Sequence, residues 1–316
     1  IHPAIRMFGS HDPNAVIFND NQLIFGVEEE RLTRDKHAIN TFPERAIRQC
    51  LSYCDIDLTD VSKVVLPWDP NLYAQSFVSN IKQAVVGPES ARTKFYQTGK
   101  AAKKSFVSMM FSVNSIETQL ESIGTDVPPI ETRSHHRCHA ASALYPAPFD
   151  DGLVLTIDGR GEYDSTVVWK ATNNELRRIK TWEYPNSLGI FFGVVTKFLG
   201  YYPNNGEGKV MGLAPYGEKN HEIETTLRDL IDTGTDYDVT EVTSGGFESG
   251  VKRLENIFQR SRNTNRGEFT QWQKDLAFTT QLLLEEIVTD IVGKYTREFN
   301  TGNIGLAGGV SLNCKM

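Results

Sequence analysis

The sequence predicts an α/β protein built as two related lobes, and three observations carry that prediction. Two segments, residues 11–27 and 163–179, each read as a β-hairpin with an Asn-rich turn. The apolar run Gly152-Leu153-Val154-Leu155-Thr156-Ile157 reads as a buried strand that delivers Asp158 at its carboxyl end. Residues 275–299 carry Leu276, Leu283, Ile287 and Ile291 at helical spacing, so a long helix should bury one face. At 316 residues the chain exceeds one small core, and it is expected to divide into residues 1–150 and 151–316.

The elements follow in order. The first hairpin runs from His11-Asp12-Pro13-Asn14 through Ala15-Val16-Ile17-Phe18, turns at Asn19-Asp20-Asn21 and returns over Leu23-Ile24-Phe25-Gly26-Val27. Residues 42–53 read as a helix with Pro43 near its start and Ile47 and Leu51 on one side. Residues 61–66 read as a strand, and 72–110 as a long, mostly helical excursion whose Tyr73, Phe77, Phe95 and Tyr96 pack a core. The second hairpin runs over Tyr163-Asp164-Ser165-Thr166-Val167-Val168-Trp169, turns at Thr172-Asn173-Asn174 and returns over Leu176-Arg177-Arg178-Ile179. Residues 186–199 read as a helix, and the polar stretch 219–266, with Ser244-Gly245-Gly246, as an irregular surface insertion. Repetition at so long an interval indicates two related lobes rather than a solenoid. This is the layout of the actin, Hsp70 and sugar-kinase (ASKHA) superfold, with duplicated ribonuclease-H-like lobes, each offering a hairpin loop to nucleotide phosphates.

Composition narrows the function classes. A formal charge of −7 argues against a nucleic-acid surface driven by net charge. The one basic stretch, residues 92–104, reads as a solvated helix face. No apolar run reaches bilayer length, since residues 189–202 are interrupted by Lys197. No cleavable signal is visible, although the first residue is not Met. Cys50, Cys54, Cys138 and Cys314 lack the paired spacing of a zinc site and read as buried free thiols of a reducing cytoplasm.

The densest chemistry lies between the two hairpins. Three of the chain's seven histidines fall in Ser134-His135-His136-Arg137-Cys138-His139. On a helix His135 and His139 share one face, about 5–6 Å apart at their β-carbons, so two imidazoles can hold one metal ion. Asp158 completes the set as a carboxylate at a strand's carboxyl end, where ligands bind in open α/β sheets. The alternative is a His-rich helix start whose rings cap backbone groups or meet solvent. The glycines of Asp158-Gly159-Arg160-Gly161-Glu162 can bring backbone N–H groups to an anion. In residues 200–214, Asn205, Gly206, Glu207 and Lys209 form a second glycine-rich loop, with Lys209 a phosphate candidate. Near the end, Gly308-Gly309-Val310-Ser311-Leu312-Asn313 reads as a Gly-Gly turn opening a helix, which favours nucleotide phosphate by close backbone approach. Tight structural turns compete with both loop readings.

Together these stretches resemble the O-carbamoyltransferases of the NodU/CmcH type. The matching residues are Gly9-Ser10-His11-Asp12, Val27-Glu28-Glu29-Glu30-Arg31, the run 135–143, Asp158 to Glu162, residues 206–217 and 308–313. The likeness covers nearly the whole chain, and it extends more distantly to the enzymes that place threonylcarbamoyl on tRNA adenosine. It implies transfer of a carbamoyl group from carbamoyl phosphate, through ATP and carbamoyl-adenylate, to a hydroxyl of a small metabolite. It also implies that His135, His139 and Asp158 hold a metal, usually iron, with magnesium a further candidate. His11 and Asp12 match the family's catalytic pair. His11 suits a general base, since a near-neutral imidazole can take the acceptor's proton; a histidine that merely orients phosphate or substrate competes with that role. Glu28, Glu29 and Glu30 are open between a solvated acidic edge and pairing to Arg31 or Arg34. The family has a further metal-binding aspartate and a smaller carbamoyl-adenylate-forming domain beyond the point where this sequence ends. The second lobe is therefore expected to be incomplete, and the partners to include that missing domain but no nucleic acid or membrane.

Three rivals remain. A threonylcarbamoyl-adenosine synthase should act on tRNA, which the acidic balance disfavours. A sugar kinase of the superfold, or a non-catalytic nucleotide-binding scaffold, has no use for clustered imidazoles.

Overall fold

The computed structural model describes residues 1–4, 11–72, 113–265 and 267–316. The excursion expected over 72–110 and the basic stretch lie, Leu72 apart, outside the described residues. The chain separates into two compact units, Ile1–Cys138 and His139–Met316.

The first unit opens on the expected hairpin. Strand β1 (Asn14–Asn19) runs antiparallel to β2 (Gln22–Glu28), with Asn14 opposite Glu28 and Asn19 opposite Gln22. That register leaves Asp20-Asn21 as the turn, both left-handed at φ 47° and 65°. Asp and Asn tolerate this conformation, and a two-residue hairpin demands it. The short helix α1 (Glu29–Thr33) leads to α2 (Glu44–Cys54), which begins after Pro43 and turns Ala46, Ile47 and Cys50 inward. Strand β3 (Val64–Leu66) pairs in parallel with β4 (Ile130–Thr132), and α3 (Val113–Glu121) precedes β4. Phe42, Ile47, Leu58, Leu66, Trp68 and Leu120 form the centre of this core.

The three consecutive glutamates have separate jobs. Glu29 is only 2% exposed, and its carboxylate accepts the N–H groups of Arg45 and Ala46 at 3.3 and 2.8 Å. Those donors belong to the first turn of α2, where backbone N–H groups lack helical partners and the helix dipole favours an anion. Glu28 pairs with Arg31 at 3.3 Å, and Glu30 accepts the His37 N–H at 2.8 Å. Glu29 and Glu30 are internal clamps, whereas Glu28 and Arg31 pair at the exposed surface.

The second unit is organised by a four-stranded sheet in the order β7-β6-β5-β8. Strands β5 (Gly152–Ile157), β6 (Asp164–Thr172) and β7 (Glu175–Glu183) are antiparallel neighbours, whereas β8 (Ile304–Ala307) lies parallel to β5. All six residues of β5 are buried, as a central strand covered on both faces requires. Helix α4 (His135–Leu144) buries Ala140 and Leu144 against Val154 and Trp169. Helix α5 (Leu188–Phe198) starts at Ser187, whose hydroxyl accepts the Ile190 N–H, and α6 (Glu207–Leu213) follows.

Residues 219–266 depart from the irregular insertion expected of them. They hold α7 (His221–Leu230), α8 (Thr240–Thr243) and α9 (Gly246–Phe258). Ile223 and Leu227, then Val251, Leu254 and Phe258, recur at helical spacing and enter the core. Sparse apolar residues among many polar ones hid that stripe. The long helix α10 (Gln271–Phe299) opens with a reciprocal capping box between Thr270 and Gln273 and buries Leu276, Leu283, Ile287 and Ile291. Of the four free cysteines only Cys50 is buried, and Cys314 is exposed, so the expected burial of all four thiols holds for one. Among the described residues no helix is long and apolar enough to cross a membrane.

Replacing Glu29 by Ala should lower unfolding stability by about 1–3 kcal/mol, because the buried Ala46 N–H and the partly buried Arg45 N–H lose their acceptor. Urea denaturation measures this, and an unchanged midpoint would contradict the clamp.

Candidate functional site

Backbone approaches backbone closely at the carboxyl end of β5. A Cβ built on Gly308 would stand 2.2 Å from the Ile157 carbonyl oxygen, and Gly308 itself holds φ +94°. A Cβ on Gly189, in the first turn of α5, would stand 2.6 Å from the Gly159 nitrogen. Only glycine satisfies both positions. Asp158 sits between these approaches: its Oδ1 accepts the Gly159 N–H at 2.7 Å, and a Cβ on Gly309 would lie 3.1 Å from the same oxygen. The Ser187 hydroxyl meets the carbonyls of Asp158 and Gly159 at 3.2 and 2.7 Å, tying the start of α5 to this turn.

His139 reaches the same carboxylate. Its Nε2 lies 3.3 Å from Asp158 Oδ2, because the packing of Ala140 and Leu144 beneath β5 aims this face of α4 at the strand end. Helix α4 is continuous from His135, so His135 is carried one turn from His139 on the same face. In the first unit the His135 ring stacks on Trp68, with centroids 4.0 Å apart. An imidazole nitrogen facing a carboxylate oxygen at this distance is a donor set that suits a divalent transition metal.

The rest of the 158–162 turn is built inward. Arg160 lies over the Tyr184 ring at 4.6 Å, Gly161 N–H bonds the Asp164 carbonyl at 2.7 Å, and Glu162 is 1% exposed. Asp164, 2% exposed, pairs with Arg178 at 2.6 Å, and Arg178 covers the Trp169 ring at 4.9 Å. Burial raises the Asp164 carboxyl from 3.8 to about 6, a rise that Arg178 opposes and Glu162 and Glu183 reinforce.

The other two predicted loops are partly committed to structure. Asn205, Gly206 and Lys209 line a cleft of about 350 Å³ with Tyr201, Tyr202 and Gly267. The Lys209 ammonium stands 5.2 Å from the Tyr201 ring centre. Glu207 instead turns back, accepting the N–H groups of Asn204 and Gly206 at 2.8 and 3.1 Å. Asn313 exchanges two amide hydrogen bonds with Gln281, at 2.8 and 3.1 Å, and so fastens the Gly-Gly turn to α10.

In the first unit His11 Nδ1 lies 2.6 Å from Asp12 Oδ2. The other oxygen, Oδ1, lies 2.8 Å from Nδ1 of His37, a residue the sequence reading passed over. Burial pushes the Asp12 carboxyl up, but hydrogen bonds from His37 and His11 outweigh it and hold the group below its ordinary value. Asp12, Glu30 and His37 also offer possible metal-ligating atoms within 4.8 Å of one another. The only sequence signal for His37 was its rarity as one of seven histidines, eight residues downstream of Glu29.

The chain is a mixed α/β protein with glycine turns and an imidazole–carboxylate pair at a strand's carboxyl end. The carbamoyltransferase N-terminus model matches residues 4–316, and the chain belongs to that family. It is 30% identical over 313 residues to the uncharacterized protein sll1178 of Synechocystis sp., covering 96% of this chain and 50% of that protein. It is 32% identical over 310 residues to the nodulation protein NolNO of Sinorhizobium fredii, covering 97% of this chain and 41% of that protein. The chain thus spans about half the length of these curated relatives. Among solved structures, the type II variant of the Aquifex aeolicus Ppx/GppA phosphatase superposes with a TM-score of 0.24 and 10% identity, over 96% of this chain and 94% of that one.

The buried Asp164 predicts a pH dependence. Its folded pKa of about 6 exceeds the usual 3.8, so the folded state holds the proton more tightly than the unfolded chain. Stability present below about pH 4 should therefore be lost as pH rises through about 6, by on the order of 2–3 kcal/mol. Urea melts across this range should slope downward in the wild type relative to Asp164→Asn; parallel curves would refute the assignment.

Proposed function

We propose that this chain is the transferase portion of an ATP-dependent O-carbamoyltransferase. The substrates would be carbamoyl phosphate and ATP, the activated donor carbamoyl-adenylate, and the acceptor a hydroxyl of a small metabolite. Family membership supports the carbamoyl chemistry. The observation that carries the site is His139 facing Asp158 where the glycines of two loops close on the end of β5. Hairpins in both units and the order β7-β6-β5-β8 support reading the architecture as the two-lobed ASKHA type with ribonuclease-H-like lobes. On that reading the carbamoyl-adenylate-forming domain lies outside this sequence, and the protein works in the cytoplasm.

His135, His139 and Asp158 would hold the metal, iron by family resemblance, and the ion would supply positive charge to phosphate or carbonyl oxygen. Gly159, Arg160 and Gly161, the Gly308-Gly309 turn, and Asn205, Gly206 and Lys209 would contact the nucleotide. Glu207 and Asn313 would act behind that surface, holding its loops through the hydrogen bonds already described. His11 would take the proton from the acceptor hydroxyl as its oxygen bonds to the carbamoyl carbon. The bond from that carbon to the adenylate oxygen then breaks, and AMP departs with the electron pair. Asp12, bonded to His11 Nδ1, would steady the imidazolium as it forms.

Two experiments on the full-length protein test this. Elemental analysis should find near-stoichiometric transition metal that is lost in His139→Ala; equal metal in both proteins would remove the site. With ATP, labelled carbamoyl phosphate and a panel of sugar and polyol hydroxyls, His11→Asn should slow label transfer about 10²–10⁴-fold while pyrophosphate release persists. Transfer at the wild-type rate would eliminate the base.

A further inference from the structure

The carboxylate of Asp12 is gripped from both sides, by His11 Nδ1 at 2.6 Å and by His37 Nδ1 at 2.8 Å. Asp12 and His37 are also joined through the backbone, the Asp12 N–H donating to the His37 carbonyl at 2.9 Å. Both residues hold left-handed backbone, at φ 58° and 65°. Neither is glycine, though Asp and His enter this region more readily than most other residues. A turn stabilised by its backbone alone would need only the His37 N–H, taken by Glu30 at 2.8 Å, and the His37 carbonyl. It would not need the ring to reach Asp12.

A cation bound by Asp12, Glu30 and His37 is the competing reading of the same atoms. A cation there would have to displace two contacts, Asp12 Oδ1 with the His37 ring and Glu30 Oε2 with the His37 N–H. His2 and the Asn14 amide meet the Asp12 carbonyl, at 3.2 and 3.0 Å, rather than its carboxylate.

The geometry points to His37 as a positioning residue that acts through Asp12 on His11, fixing the tautomer of His11 so that its Nε2 carries the lone pair. This rests on the reading of His11 as the proton acceptor. A neutral imidazole has one N–H, and a carboxylate at Nδ1 places that hydrogen on Nδ1. The terminal torsion of an aspartate is broad, so Asp12 held by one ring alone can swing. With Oδ1 anchored by His37, Oδ2 stays against His11, and the basic nitrogen of His11 stays turned away from Asp12. The proton therefore moves only at His11 Nε2, and His37 touches neither donor nor acceptor.

Imidazole nitrogen chemical shifts of the full-length protein, labelled with ¹⁵N-histidine, test this without any acceptor. Loss of signals in His11→Asn assigns that ring. With His37 assigned likewise by signals lost in His37→Leu, both His11 and His37, when neutral, should carry hydrogen on Nδ1 in the wild type; either ring with its hydrogen on Nε2 overturns the inference. In His37→Leu the His11 nitrogens should lose that preference and average, whereas His37→Asn, with an amide N–H near the position of Nδ1, should keep it. His11 unaltered in His37→Leu overturns the inference whether or not the protein transfers carbamoyl. In the transfer assay with labelled carbamoyl phosphate, His37→Leu should lower kcat roughly 10–100-fold with little change in KM. His37→Asn should recover most of it, and His37→Leu should cost nothing further in a His11→Asn background. Additive losses there overturn coupling through His11. A His11→Asn protein that transfers normally instead removes the base reading and leaves the tautomer result standing.

Discussion

The second unit depends on how closely backbone can approach backbone at the end of β5. The Gly308 turn and the first turn of α5 both enter space that a single methyl group would fill. Their closeness is what makes Asp158 more than a strand terminus. With Gly159 N–H on one oxygen and His139 facing the other, the carboxylate has fixed orientation before any ligand arrives. Steric exclusion and hydrogen bonding thus act in sequence. Glycines allow the approach, and the polar groups brought in by it hold the side chain.

The first unit reaches a comparable result by different means. Its carboxylate is fixed by side chains rather than by glycine. The clamp extends outward in layers: Asp12 is held by His37, His37 by Glu30, and the neighbouring Glu29 secures the start of α2. Three adjacent acids on one short stretch therefore serve three targets. Alternate directions of the chain through β2 and α1 separate them, so like charges do not compete for one environment.

Much of this architecture could be read from the residues. The hairpins announced themselves through alternating apolar residues and Asn-rich turns, and the left-handed Asp20 and Asn21 show why those residues stand there. The run 152–157 was legible because a strand buried on both faces is continuously apolar. The shared helix face of His135 and His139 and the strand-end place of Asp158 were legible because helix periodicity and strand polarity are local rules. What stayed hidden was non-local. Nothing about Glu207 or Asn313 in sequence distinguishes a ligand contact from an internal cap or an amide pair, since both uses need the same donors. His37 reaches Asp12 across 25 residues, through two turns whose geometry no local pattern encodes. The helices within 219–266 were missed because their apolar stripe is only two or three residues deep.

The amide pair of Asn313 and Gln281 sets a mechanical condition. Two antiparallel donor–acceptor contacts are satisfied together at one separation and one relative rotation, unlike a greasy contact that tolerates sliding. The loop after β8 is thereby indexed to a single rung of a 29-residue helix. Any axial shift of that helix by even a fraction of a turn would drag the loop with it or break both bonds, so α10 and the β8 edge of the sheet must move as one piece.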